Sequence, residues 1–386
     1  MKLNTKTECD FCKSESIQEV YTPINSRRKS KVFLCLNCGL LQTLYEKKEE
    51  EKIVSISCDA DWGNIRHGKR ARIEDNLFFI KKYLNFNEFK NIIDIGSNRG
   101  DFVKWAKKFN PRLSITAIEP DISLVDYDNL GIDIIKKRVE EIYFNKKYNF
   151  IYCSHTLEHL DSVFNFLEIC NSILTNKGFI FIEVPNTEII SQDKNIVEEF
   201  FIDKHKFHFT STVLENIFSA SGFCLLKRKK DRYNLTYIFR KEKNRHSKLT
   251  IHSTIKKEKD FVSIYSKRLS ENRNLLVKVC QQKLNPFMKR QRVAFWGASR
   301  IFDALIKYGR LEKKLIFLLV DKFISQILQE VHGIAVKEPE WLKIFEPDVV
   351  CILARSSTKS LETVSHEMGF RWVITFDEIM EQSRFS

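Results

Sequence analysis

Three groups of residues in this 386-residue chain have types and spacings that can do chemistry. The first is Cys9-x2-Cys12 followed, after 22 intervening residues, by Cys35-x2-Cys38. Two intervening residues let both thiolates of a pair point at one ion, so the quartet supplies the four soft tetrahedral donors of a zinc site. With every position filled by protein the site is closed, and its role reads as structural. The second group is Asp94-Ile95-Gly96-Ser97-Asn98-Arg99-Gly100-Asp101, which follows an apolar run and opens a helical pattern. Gly96 and Gly100 allow a sharp turn and a close approach to a ligand. Glu119, 19 residues beyond Gly100 at the end of the next strand, can accept bonds from both ribose hydroxyls of a nucleoside. A dinucleotide fingerprint needs a middle glycine against the pyrophosphate, and that place is Asn98. An acid opening the loop, Asp94, suits a cationic or amine-bearing ligand, which points to S-adenosylmethionine (SAM). The third group runs from Phe201 to Thr210 and holds Lys204, His205 and His208. Histidine titrates near neutrality and can take the proton that a methyl acceptor gives up, so His205 is the candidate base and His208 a supporting or substrate residue. Each also reads as a core histidine bonded to backbone. His155, Glu158 and His159 fall at a helix start, where Glu158 and His159 read as groups that orient the cofactor loop.

The elements that must position these groups follow from periodicity. Residues 1–45 read as short strands and turns carrying the cysteine pairs. In residues 46–90 the positions Ile73, Leu77, Ile80 and Leu84 have helical spacing. Apolar runs at 91–96, 114–120, 132–137, 148–155 and 178–186 alternate with helical patterns, which predicts a mostly parallel sheet covered on both faces, closed by strands at 224–229 and 235–240. Phe261, Ile264, Tyr265, Leu269, Leu275, Leu276 and Val279 fit one long amphipathic helix. Runs at 292–299, 315–321 and 348–355 predict a second, smaller parallel α/β unit. The expected units are therefore 1–45, a zinc ribbon; 46–90, a helical connector; 91–245, a SAM-binding α/β domain; 246–290, a basic linker helix; and 291–386, a Rossmann-like α/β domain.

Composition excludes other classes. Hydrophobic residues make up 43 % of the chain and aromatics 12 %, too much core material for a disordered protein. No window reaches the roughly 18 apolar residues of a membrane helix, and the first ten residues lack an apolar signal core, so a cytoplasmic protein without a membrane span is expected. Oligomeric state is not legible. The net charge of +14 is concentrated: residues 227–292 carry 21 Lys/Arg against five Asp/Glu. Such a block reads as a solvated helix face or as a grip on an anionic partner such as a sugar-nucleotide diphosphate. Nucleic acid is disfavoured because the aromatics of this stretch fall on its apolar stripe rather than among the charges. Trp296-Gly297-Ala298-Ser299-Arg300 follows a strand as a dinucleotide loop does but has one glycine of three, so NAD binding is not expected.

Residues 91–186 resemble a class I SAM-dependent methyltransferase domain: DIGSNRG is similar to its first motif, AIEPD to the ribose-binding second, RVEEI to the third, and CSHTLEHL to the segment after the fourth strand. The order zinc ribbon, methyltransferase core and cofactor-free α/β tail, with CLNCGLLQ and FWGAS, resembles the sugar C-methyltransferases that act on nucleotide-linked ketodeoxysugars. That resemblance implies Asp94, Gly96, Ser97, Asn98 and Gly100 around the methionine end of SAM and Glu119 at the ribose. It further implies Val139 and Glu140 beside the adenine, Ser154 and His155 at the methyl-donor pocket, and Cys9, Cys12, Cys35 and Cys38 on zinc. In that family a Glu-His pair is the acid/base unit; His205 matches its histidine, while Lys204 stands where the glutamate would be. The segment is equally similar to the H-x-x-H-F-T stretch of O- and N-methyltransferases, so C- and O-methylation both stay open. The implied function is methyl transfer to a sugar or nucleotide-sugar substrate destined for a surface polysaccharide or deoxysugar. The alternatives are an RNA-modifying methyltransferase and a scaffold that keeps the fold without turnover.

Overall fold

The computed structural model of the chain describes residues 8–24, 26, 28–46, 70–121, 123, 125–202, 204–242 and 252–382. The first part of the expected connector, 47–69, and the expected 245/246 boundary lie outside the described residues. Among those described, the strands form three sheets.

The N-terminal sheet is an antiparallel meander, β1 (Ile17–Tyr21), β2 (Lys31–Cys35) and β3 (Leu41–Leu44). Its cysteine pairs sit at reverse turns, closed by Lys13 N–H donating to the Cys9 carbonyl and Gly39 N–H to that of Cys35, both at 3.0 Å.

The central sheet is the expected Rossmann-like one. After α1 (Arg70–Tyr83), β4 (Asn91–Ile95), α2 (Asp101–Phe109), β5 (Ser114–Ile118), β6 (Asp133–Ile135), β7 (Tyr148–Ser154), α3 (Val163–Ile173) and β8 (Leu174–Pro185) build its parallel part. The chain winds from β4 through β5 to β6 on one side, then returns to place β7 and β8 on the other. The topological switch point, where such sheets bind ligands, therefore lies between the carboxyl ends of β4 and β7. Ile73, Leu77, Ile80 and Leu84 are buried as the helical spacing predicts, against Phe102, Val103 and Phe150.

The chain then forms α4 (Ile189–Gln192) and β9 (Phe207–His208), which pairs with β3 and so ties the histidine segment to the cysteine-bearing sheet. The short run Phe-His gives no strand signal, and its pairing is set by tertiary contact. Helix α5 (Ser211–Ala220) leads to β10 (Phe223–Lys229) and β11 (Asn234–Lys241), which complete the central sheet, β11 pairing antiparallel with β8 and β10 antiparallel with β11.

Helix α6 (His252–Val279) is the long basic helix. Its buried stripe is Val262, Tyr265, Leu269, Leu276 and Val279, whereas Ile264 is exposed and Phe261 half-buried. The apolar spacing thus marked the helix but put its inner face one residue off near the start. After α7 (Asn285–Met288), β12 (Val293–Trp296), α8 (Arg300–Lys307), β13 (Leu318–Val320) and β16 (Val349–Ile352) form the expected second parallel sheet. The hairpin β14 (Glu330–Val331) and β15 (Ile334–Lys337), helix α9 (Trp341–Phe345), α10 (Thr358–Glu367), β17 (Val373–Thr375) and α11 (Phe376–Glu381) extend it beyond the sequence reading. Its own switch point lies between β12 and β16.

Arg355, just past β16, joins the two α/β units. Its guanidinium donates to both carboxylate oxygens of Glu198 at 2.9 Å, to Asp193 at 3.2 Å and to the Asn195 carbonyl at 2.7 Å. Burial pushes the Glu198 carboxyl up, but the guanidinium outweighs it and holds the group at about 2. Asp193, pushed above its usual range by its own burial, works in the opposite sense. A depressed carboxyl contributes stability that is complete above its unfolded value of 4.5 and is lost as pH falls toward about 2. Arg355→Met leaves a buried carboxylate without its cation, so urea unfolding at pH 7 should show a loss of about 3 kcal/mol or more. The variant should also lack the Glu198-linked fall in stability between pH 4.5 and about 2 that the parent shows.

Candidate active site

The loop after β4 is built for close approach. Gly96 and Gly100 have φ of +77° and +73°, and a Cβ on them would stand 2.1 Å from the Thr156 hydroxyl and 2.3 Å from the Tyr127 ring. No other L residue fits either place. The N–H groups of Gly96 and Ser97 donate to the Ile118 carbonyl at 2.9 and 3.0 Å, which fastens the loop to β5. Ser97 Oγ lies 2.5 Å from the hydroxyl of Tyr127, whose ionisation burial pushes up to about 12. Asn98, left-handed at φ +51°, donates its N–H to Glu119 Oε2 at 2.8 Å, and Asp121 N–H donates to Oε1 at 3.0 Å. Glu119 is 4 % exposed, yet it lines the cavity at the end of β5. On the turn Val139–Glu141, Glu140 accepts from the Asp161 N–H at 2.9 Å.

These groups share one cavity of about 910 Å³. Gly96, Asn98, Glu119, Val139, Glu140 and His155 of the expected cofactor set line it. Asp94, Ser97, Gly100 and Ser154 stand outside that lining: Asp94 is buried on β4, and Ser154 donates to Glu183 at 2.6 Å inside the sheet.

Past β7 the backbone bends through His155, a non-glycine residue at φ +49° whose N–H donates to the Glu183 carbonyl at 2.8 Å. Such strain persists where the surroundings over-determine it, and it aims the imidazole at the cavity. The turn Leu157–His159 follows. Glu158 and His159, expected to orient the cofactor loop, gather beside His205. Glu158 is 1 % exposed, 3.4 Å from His155 Nδ1 and 3.9 Å from His159 Nε2. Burial pushes its carboxyl up, but the His155 contact and the charges of His159, His155 and His205 prevail and hold it at about 2. His159 and His205 stack edge to face, centroids 4.8 Å apart. Burial, and then His159, push His205 well below the ordinary imidazole range, so its ring is neutral at pH 7. Lys204, His205 and Lys206 line the cavity. His208 does not: it lies in β9, 2.7 Å from Thr43 Oγ1, and burial drives it down to about 3. Its hydrogen bond is to the cysteine-bearing sheet, and its ring packs edge to face on Phe201.

The sulfurs of Cys9, Cys12, Cys35 and Cys38 lie within 4.8 Å of one another, with Cys9–Cys38 and Cys12–Cys35 at 3.5 Å. Zinc–thiolate bonds of about 2.3 Å put tetrahedral sulfurs about 3.8 Å apart, so the donor set fits a closed zinc site. N–H groups of Asn37 and Cys38 point at Cys35 Sγ at 3.3 and 3.4 Å, as they would at a thiolate ligand.

Sequence reasoning missed the far wall. Arg28 and Tyr45 of the N-terminal segment, Asp193 and Glu198 after α4, and Asp321 and Arg355 of the second sheet all face the cavity. Asp321 and Arg355 each follow the carboxyl end of a parallel strand, a signal the sequence carries. Nothing local marks Arg28 or Tyr45.

Residues 65–227 match the family described as methyltransferase domain. Comparison with curated proteins gives no match. Among solved structures, the chain is similar to an S-adenosylmethionine-dependent methyltransferase from Clostridium acetobutylicum at 13 % identity and TM-score 0.37, covering 45 % of this chain and 98 % of that one. It is similar to N-methyltransferase NodS from Bradyrhizobium japonicum at 14 % identity and TM-score 0.35, covering 45 % and 97 %. The plantazolicin methyltransferase BpumL, solved with S-adenosylhomocysteine (SAH), aligns at 16 % identity and TM-score 0.39, covering 45 % and 84 %. Residues 65–227, which span most of the Rossmann-like central sheet, are thus similar to a methyltransferase domain. Among the described residues no helix is long and apolar enough to cross a membrane. Glu119→Ala should weaken SAH binding by about 10- to 100-fold in isothermal titration, the loss of a charge-assisted bond, with the far-UV spectrum unchanged.

Proposed function

We propose that this chain transfers a methyl group from SAM to a sugar, a nucleotide-linked (keto)deoxysugar or surface-polysaccharide precursor, at carbon or oxygen. The observation that carries this reading is the continuity of the cavity. It runs from Gly96 and Glu119 of the first switch point, past His155 and His205, to Ser299 and Arg300 beside the second. At about 910 Å³ it is at the upper end of the roughly 300–1,000 Å³ range of small-molecule sites. A cofactor held by one sheet could thus meet an acceptor whose nucleotide is held by the other.

Bound SAM would supply a methyl group made electrophilic by its sulfonium. In this reading the loop 94–100 and Glu119 hold it, with Val139 and Glu140 on its adenine side and His155 near the methyl, while Ser154, bonded to Glu183, braces the strand end behind it. Neutral His205 meets the acceptor and receives its proton, and Lys204 offers a cation for a developing oxyanion or a phosphate. His208 serves as the anchor that fixes the His205 segment to β3. Ser299 and Arg300, at the start of α8, suit the anionic diphosphate of a nucleotide-linked acceptor. The first 45 residues are a zinc ribbon whose closed four-cysteine site is structural, followed by the connector, methyltransferase, linker-helix and C-terminal α/β units with the boundaries given above. Arg268 and Arg273 of α6 are taken up by the carbonyls of Ser191 and Val197 rather than presented to phosphates, which weighs against the RNA-modifying alternative.

The test is incubation with methyl-labelled SAM and a panel of keto and hydroxy sugar nucleotides, with mass spectrometry locating the new carbon; transfer to none of them refutes the sugar reading. His205→Ala should reduce turnover by about 10²- to 10⁴-fold while SAH affinity stays within twofold of the parent, roughly 0.4 kcal/mol.

A further inference from the structure

Glu158, His159 and His205 present one ligand atom each, all within 4.8 Å of one another. We propose that these three side chains bind a divalent transition-metal ion whose remaining positions open onto the acceptor end of the cavity. The site rests on the methyl-acceptor pocket assigned above and refines one detail of it: in the loaded protein His205 acts on the acceptor through the ion.

Three independent features point to a cation. Both Glu158 oxygens are buried without a hydrogen-bond donor among the described residues. The positive charge that reaches this carboxylate comes from imidazoles standing off it rather than from a donor bonded to it, which leaves its oxygens open to a further cation. The nearest imidazole nitrogens, at 3.4 Å on His155 and 3.9 Å on His159, are too distant for good hydrogen bonds. Donors sharing one ion at about 2.1 Å stand about 3.0–3.5 Å apart, so small side-chain rotations would close the set. His159 is also oriented for ligation. Its Nδ1 lies 2.9 Å from the Lys204 carbonyl, which can only accept, so Nδ1 carries the proton and the Nε2 lone pair is directed to the Glu158 side. This N–H to carbonyl bond is the usual support of a metal-bound imidazole. Finally, His159 and His205 line the cavity and Glu158 stands behind them, so a bound ion would keep its open coordination positions on the cavity side.

Two imidazoles and one carboxylate suit Mn²⁺, Fe²⁺ or Co²⁺ as well as the Zn²⁺ that thiolates also bind. The open positions suit an oxygen of the acceptor, a hydroxyl or a carbonyl. The cysteine quartet, with sulfur donors alone, discriminates in the opposite sense, so Mn²⁺ distinguishes the two sites.

The full-length, zinc-loaded protein is titrated with MnCl₂, and bound ion is read from the loss of free Mn²⁺ paramagnetic resonance signal. One Mn²⁺ per chain is expected, with affinity at least tenfold weaker in Glu158→Gln and in His159→Ala. Absence of binding up to about 1 mM Mn²⁺, or equal affinity in parent and both variants, overturns the proposal. His159 is partly exposed, so His159→Ala reports on the site even where Glu158→Gln fails to fold. SAH affinity is measured on the same samples. Parent protein that binds SAH but not Mn²⁺ refutes the metal site alone, and parent protein that binds Mn²⁺ but not SAH refutes the methyltransferase pocket instead.

Discussion

The Arg355 guanidinium forks onto both oxygens of Glu198 at 2.9 Å and reaches Asp193 and the Asn195 carbonyl with its remaining N–H groups. Through these bonds the carboxyl end of β16 is fixed to the segment that follows β8, and the two switch points come to share one cavity. Each sheet alone would open its crevice to solvent. At the first, Gly96 meets Thr156 so closely that a Cβ is excluded; at the second, a Cβ on Gly297 would lie 3.2 Å from that of Leu353. Both crevices are therefore formed in the same way, by a strand-end glycine packed under the neighbouring strand's exit. A planar, permanently charged fork suits this position because it satisfies two carboxylates and a carbonyl at once, which a lysine ammonium could not do in one plane.

The excess positive charge of residues 227–292 looks different once its partners are known. Arg273 donates to the Val197 carbonyl at 2.9 Å and lies over the Tyr308 ring at 3.6 Å, and Arg268 and Asn272 also bond carbonyls of the 191–196 stretch. Helix α6 is thus a strut that orders the very segment on which Asp193 and Glu198 sit. Tyr265 on the same helix donates to Glu199 at 2.7 Å, as Tyr21 of β1 does. The N-terminal sheet, the strut and the loop before His205 are held by one buried carboxylate, so the position of the histidine segment depends on three parts of the chain at once.

What was legible in the sequence were features with short-range causes. Strand-helix alternation, the glycine loop, the acid at the end of the next strand and the paired cysteines all declare themselves within windows of a few residues, and the architecture follows the apolar runs closely. What was illegible arises from long-range pairing. Phe207 and His208 form a strand because β3 has a free edge, and no local pattern marks two residues as β. Ile264 carries the right period for the inner face of α6 but is exposed, since the helix packs through Val262 and Tyr265 instead. The grouping of Glu158 and His159 with His205 needed the third dimension, because 45 residues of sequence lie between the last two.

Two buried glutamates at the carboxyl edge of the central sheet show how burial alone fails to assign a role. Glu183 is 2 % exposed and accepts from Asn76 at 2.8 Å, Ser154 at 2.6 Å and Thr236 at 3.4 Å, so its oxygens are fully engaged inside the protein. Glu158, equally buried, faces imidazoles at distances beyond good hydrogen bonding. A carboxylate that only braced the fold would be supplied with donors, as Glu183 is, because the penalty for leaving it without them exceeds the net worth of the bonds. The same turn that denies Glu158 its donors gives His159 a carbonyl partner and leaves that ring's lone pair facing inward. Both departures from ordinary satisfaction occur within two adjacent residues, at the strand end where the cavity begins. That coincidence is expected of a centre that binds a ligand, and it is not expected of core packing.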